Sequence, residues 1–96
     1  MKNFLFILLI ACGTSCADKP IPVAVIFDTD IAPDYDDVGA LAMLHAFADN
    51  GEAKILATVS CNAFETTAST LSVINSYFNR ADVPVGVVKK DSPNYS

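Results

Sequence analysis

Residues 21–41 read Ile21-Pro22-Val23-Ala24-Val25-Ile26-Phe27-Asp28-Thr29-Asp30-Ile31-Ala32-Pro33-Asp34-Tyr35-Asp36-Asp37-Val38-Gly39-Ala40-Leu41, and the fold turns on two changes of pattern inside them. Up to Phe27 the run is continuously apolar, of strand length and rich in β-branched residues, which suits a strand buried on both faces of a parallel sheet. Pro20 and Pro22 limit pairing at its start. From Thr29 to Tyr35, with Pro33 inside, the chain cannot continue a strand and reads as a loop. From Asp36 the period changes again: two acids suited to a helix N-terminus are followed by Ala, Leu, Met and Phe up to Asn50, and Gly51 supplies a stop. Because nearly every position from Val38 to Phe47 is apolar or small, this helix is expected to be covered on most sides. His45, inside it, is expected to be a packed histidine rather than a ligand.

Outward from that stretch the alternation repeats. Residues 55–60 form a second short apolar run, 64–79 carry apolar residues at Leu71, Ile74, Tyr77 and Phe78 in helical spacing, and 83–88 begin a third strand. Strand, helix, strand, helix, strand is the order of parallel crossover units, so the chain is α/β with an open parallel sheet and flanking helices. It stops where another crossover is expected, and the mature part is marginal for burying a core, so the chain is expected to be a piece truncated after the third strand.

An apolar content of 52% fits a packed chain rather than a disordered one. Part of it belongs to a leader: Lys2 is followed by an apolar run from Phe4 to Ala11, the length of a signal-peptide core and too short to span a bilayer. Small residues at Ser15-Cys16-Ala17 fit cleavage after Ala17, leaving residues 1–17 as a signal peptide, residues 18–96 as the mature chain, and a periplasmic or extracellular destination. A second reading takes Leu9-Ile10-Ala11-Cys12 as a lipobox, which would leave the chain lipid-anchored through Cys12. After cleavage only Cys61 remains; one thiol makes no internal bridge, and a buried, inert cysteine is expected there.

The net charge of −5, with no Lys/Arg cluster, excludes a basic nucleic-acid footprint. The acid is concentrated: Asp28, Asp30, Asp34, Asp36 and Asp37 stand together with no Lys, Arg or His among them. In open parallel sheets ligands bind beyond the carboxyl ends of the strands, where this loop leaves the first strand. Two carboxylates ~4 Å apart repel by about 4 kcal/mol at an effective dielectric of ~20, so a compensating charge is expected, either a proton or a metal ion, the plainer alternative being a solvated acidic loop helped by the helix N-terminus. Carboxylate oxygens without cysteine or a histidine pair suit a hard cation, and outside the cytoplasm Ca²⁺ is the natural one. An EF-hand fails, because counting from Asp28 puts Pro33 at the glycine position and Gly39 at the bidentate glutamate.

The succession Val25-Ile26-Phe27-Asp28-Thr29-Asp30, then Asp36-Asp37-Val38-Gly39-Ala40-Leu41, resembles the N-terminal signature of inosine-uridine-preferring nucleoside hydrolases: strand, Asp-x-Asp, a short turn, Asp-Asp, apolar helix. Residues 57–62, ending in Cys61-Asn62, are similar to that family's second strand with its Gly-Asn pair, and residues 83–87 to its third. The resemblance implies a Rossmann-like nucleoside hydrolase fold and N-glycosidic hydrolysis of a nucleoside substrate with Ca²⁺, in a full-length form that is a homo-oligomer. It implies that Asp30 ligates calcium and acts as general base on metal-bound water, that Asp37 is a second metal ligand, and that Asp36 binds a ribose hydroxyl. Asn62 would orient sugar-side groups, Asp28 would support the loop, and Asp34 would be an outer-sphere or loop-surface residue. Between Asp30 and Asp36 the loop is two residues longer than the shorter family form, and Ala32 stands where a turn glycine is usual; a positive φ there would cost on the order of 1–2 kcal/mol. The family's downstream calcium ligand and base contacts have no counterpart here, so the 96 residues alone are expected to be catalytically silent. Two rival readings are a haloacid-dehalogenase-type Mg²⁺ phosphatase, with Asp28 as nucleophile and Asp30 as acid/base, and a non-catalytic calcium- or ribose-binding remnant.

Overall fold

The structure, a computed structural model, describes residues 17–89. The expected leader through Cys16, the alternative anchor Cys12, and residues 90–96 lie outside the described residues. The elements are β1 (Val23–Thr29), α1 (Asp36–Asp49), β2 (Ala53–Ser60), α2 (Thr67–Tyr77) and β3 (Val85–Val87). The sheet is open and wholly parallel in the order β1-β2-β3, as the alternation of patterns required. None of the helices among the described residues is long and apolar enough to cross a membrane.

Each strand is added on the same side of the last, so right-handed crossovers put both helices on one face of the sheet. The bond between His45 of α1 and Asn75 of α2 confirms that they lie side by side. This corrects the expectation that the first strand is buried on both faces. Val25 and Phe27 are half-buried and Thr29 buried, all facing the helices, whereas Ala24, Ile26 and Asp28 alternate with them and are exposed. Ile26 is 61% exposed.

Likewise α1 is covered along a single stripe. Leu41 and His45, four apart and therefore one above the other, are its buried residues, while Met43 and Phe47 remain exposed. Among the described residues, Leu41 and Leu71 are the fully buried apolar side chains, one from each helix. Between them runs a polar chain: Asn75 Nδ2 donates to Thr58 Oγ1 of β2 at 2.9 Å, and His45 Nε2 lies 3.1 Å from Asn75 Oδ1. His45 is packed, as expected, and is 0% exposed.

Both helices end by the same device. Gly51 takes φ 76, its N–H reaches Ala48 O at 3.1 Å, and the Glu52 N–H reaches Phe47 O at 2.9 Å. Asn79 takes φ 58 and repeats the pattern, with Arg80 N–H on Asn75 O at 2.8 Å. These are Schellman closures with Gly and Asn at the left-handed position, and they satisfy carbonyls the helix leaves open.

Candidate functional site

The loop from β1 to α1 is built by Thr29, the buried residue in the middle of Asp28-Thr29-Asp30. The twofold alternation of β1 that turns Val25 and Phe27 inward turns Thr29 inward as well, and it is 4% exposed. Pairing continues just past the strand, with Cys61 N–H donating to Thr29 O at 3.0 Å. Beyond that point the chain turns sharply at Ile31, which takes φ 40. The strain expected at Ala32 therefore falls one residue earlier, on a β-branched side chain for which this region is costly.

Two acceptors hold that turn. The Ile31 N–H points at Thr29 Oγ1, 2.8 Å away, and at Asp37 Oδ2, 3.0 Å away. The Ala32 N–H donates to Asp30 Oδ1 at 3.3 Å, an Asx-type turn. The outcome is that Asp30, leaving the strand, and Asp37, in the first turn of α1, lie near enough for Asp30 to influence the Asp37 carboxyl.

The Asp37 carboxyl is held below the usual carboxylate range. The largest cause is the Thr29 hydroxyl beside it; partial burial opposes this, and the neighbouring Asp30 and the bond from the Ile31 N–H add to the lowering. Asp37 is thus anionic at any ordinary pH and sits at a helix N-terminus, where negative charge is favoured.

The other expected residues are placed less closely. Asp34 and Asp36 are exposed, Asp36 being the first residue of α1, and Tyr35 before it is 89% exposed. Asp28 is exposed on the helix-free face, beside a cavity of ≈ 270 Å³ shared with Val59, Cys61 and Gly86. Asn62, half-buried just past the end of β2, accepts from Phe64 N–H through Oδ1 at 3.1 Å, while its own N–H donates to Ser60 Oγ at 3.2 Å. Next to it lies a cavity of ≈ 500 Å³ bordered by Phe64, Ala68 and Val87. Cys61 is exposed rather than buried, a correction that follows from its position beyond the last β2 residue, where the helices no longer cover the chain.

The donor set fits a hard cation in kind: two carboxylates converge, and neither sulfur nor imidazole accompanies them. Among the described residues no group of three or more His, Cys, Asp or Glu is gathered as a metal cage, so Asp30 and Asp37 would be a partial shell. Thr29 and Ile31 shape the candidate site, and the motif alone passes over both. The inward parity of Thr29 was the available signal; the turn at Ile31 had none, because local propensity argues against it. The chain matches no known protein family, and no curated protein or solved structure matches it either.

Proposed function

We propose that this chain supplies the cation- and sugar-binding part of a calcium-dependent nucleoside N-ribohydrolase, with the nucleoside hydrolase fold and signature noted in the sequence. The observation that carries the proposal is the approach of Asp30 to Asp37 at the carboxyl end of β1. Two carboxylates held together, one of them with a depressed pKa, constitute a negative site built to receive a positive charge. The phosphatase reading asks Asp30 to work with Asp28 as nucleophile. Asp30 meets Asp37 instead, which favours the hydrolase.

In this reading Asp37, kept ionised by Thr29, is a fixed anionic ligand, and Asp30 is both ligand and general base, taking the proton of the attacking water. Calcium, when bound, would lower the pKa of water and hold a vicinal diol. Asp36, exposed at the helix start, accepts a hydrogen bond from a ribose hydroxyl, and Asn62 orients the sugar from the neighbouring strand. Water adds to the anomeric carbon as the bond to the base nitrogen breaks, the base leaving with the bonding pair and taking its proton from solvent, and the carboxylates stabilise the cationic character that develops on the sugar. Export through the leader, with signal-peptide cleavage or anchoring at Cys12, would place the chain where calcium is plentiful. Calcium takes about six to eight oxygens and two carboxylates fall short of that, so the 96-residue chain by itself is proposed to turn over no nucleoside.

Calorimetric titration of the chain with Ca²⁺, then with ribose, tests this. Calcium heat that disappears in Asp37→Asn, and ribose binding that requires calcium, are expected. Absence of calcium binding at millimolar concentration would end the proposal, and calcium binding without ribose binding would leave only a cation-binding remnant.

A further inference from the structure

Away from the carboxylate loop, the one histidine of the sequence is fully buried where α1, α2 and the chain leaving α2 meet. Each of its ring nitrogens has a partner of fixed kind. Nε2 lies 3.1 Å from Asn75 Oδ1, and the other end of that amide, Nδ2, is committed as donor to Thr58 Oγ1. Oδ1 is therefore an acceptor, and Nε2 must carry the proton. Nδ1 lies 3.4 Å from Arg80 Nη1, which has only hydrogens to offer, so Nδ1 must be the acceptor. Neutral imidazole with its proton on Nε2 satisfies both partners; imidazolium cannot.

We propose that His45 is a proton-operated latch that ties α1 to α2 and to Arg80 only while it is neutral. Protonation would put an N–H donor on Nδ1 facing the guanidinium, turning an attractive contact into two opposed donors of like charge. Arg80 cannot easily step aside. Its backbone N–H closes the end of α2 on Asn75 O, its Nη2 pairs with Asp49 of α1, and its Nη1 also reaches Phe78 O at 3.4 Å. The charged groups facing the imidazole are thus Arg80, which opposes protonation, and Asp49, which favours it but is already paired with Arg80. Asn75 from α2 and Thr58 from β2 are neutral. Phe78 stacks flat on the ring, centroids 4.6 Å apart, and attracts an imidazolium weakly from its face. Burial is the largest influence on the imidazole and, with Arg80, holds its pKa below 6.5, against the bond it donates to Asn75 and the charge of Asp49.

When the folded pKa lies below the unfolded one, the stabilisation is complete above the unfolded pKa of about 6.5 and is lost as pH falls toward the folded value. Urea unfolding followed from pH 7.5 to pH 5 should show the unfolding constant rising by up to about tenfold per pH unit below pH 6.5, above the range where carboxylates titrate. Proton NMR of the single imidazole should give the Nε2–H tautomer and a midpoint below 6.5. In Arg80→Gln that midpoint should move upward. In His45→Gln, which can still donate to Asn75 and accept from Arg80, the slope between pH 6.5 and pH 5 should vanish. A wild-type imidazole that titrates in the folded protein at 6.5 or above overturns the latch, as does a His45→Gln protein that keeps the full acid slope. If His45→Gln does not fold, the wild-type and Arg80→Gln midpoints decide.

Discussion

Replacing Thr29 by valine tests the part of the loop that motif reading overlooks. Valine keeps the shape of the side chain and the β-branch that suits β1, exchanging only the hydroxyl for a methyl. That hydroxyl accepts the Ile31 N–H at 2.8 Å and is the main influence holding the Asp37 carboxyl below its ordinary pKa. A hydrogen bond to a charged group contributes about 1.5–3 kcal/mol, and the added methyl returns at most ~0.8 kcal/mol on burial. The Ile31 N–H keeps its second acceptor, Asp37 Oδ2 at 3.0 Å, and Asp37 is only partly shielded from water, so the loss belongs in the lower half of the range. A net destabilisation of about 1–2 kcal/mol is expected, read as a fall in Tm of roughly 5–15 °C for a domain of this size. The deficit has a pH signature. A depressed folded-state pKa contributes stability that is complete above the unfolded value of 3.8 and is lost as pH falls through the folded value. The gap between wild type and Thr29→Val should therefore be widest at neutral pH and close as pH drops below 3.8. Asp37 should titrate higher in the variant, by carboxylate NMR. Equal stability at neutral pH, or a deficit that does not depend on pH, would show that Thr29 only fills space.

Gly51→Ala should cost about 1 kcal/mol in urea unfolding, because φ is 76 and a Cβ there would touch nothing within 4 Å, which isolates the backbone term; Gly51→Asn should cost less. Gly86→Ala should cost about 1–3 kcal/mol by the same measurement, since its Cβ would come within 2.9 Å of Val59 Cγ1 inside the sheet. Calcium at a hundred times its dissociation constant should stabilise the wild type by about 2.7 kcal/mol in thermal unfolding, and this increment should be absent in Asp37→Asn and Asp30→Asn.

The parts of the fold that could be read from the sequence are those fixed by period and punctuation. Continuous β-branched runs gave parallel strands, Asp36-Asp37 began α1 at the expected residue, and Gly51 ended it in a left-handed closure. Coverage was less legible. An apolar strand or helix states that it has apolar neighbours to gain but not on which side, and the order β1-β2-β3 sends both helices to one face, leaving Ile26 and Met43 uncovered in the described residues. Cys61 was misplaced for a related reason: an apolar strand before it does not show how far past Ser60 the helices extend. Within the loop, it was the family resemblance rather than spacing that pointed to Asp30 and Asp37 as joint ligands, and neither signal could show that Thr29 and a strained Ile31 build the turn between them.

That strain bears on what the loop is for. A β-branched residue at φ 40 costs on the order of 1–2 kcal/mol, and the same few residues also hold two carboxylates in proximity. A chain under selection for stability alone could remove both costs cheaply, with glycine or asparagine at position 31 and a neutral residue at position 30. The local bonds run in the opposite direction. The Ile31 N–H engages both Thr29 and Asp37, so the distorted turn and the ionised carboxylate stabilise each other, and relaxing the turn would release the acid. Mutual support of this kind fixes Asp37 in position and leaves Asp30, bonded to Ala32 through one oxygen, as the partner that faces it. Such an arrangement is intelligible if a cation completes it, because only then does gathering negative charge at the end of β1 lower the free energy of the bound state by more than it raises that of the free one.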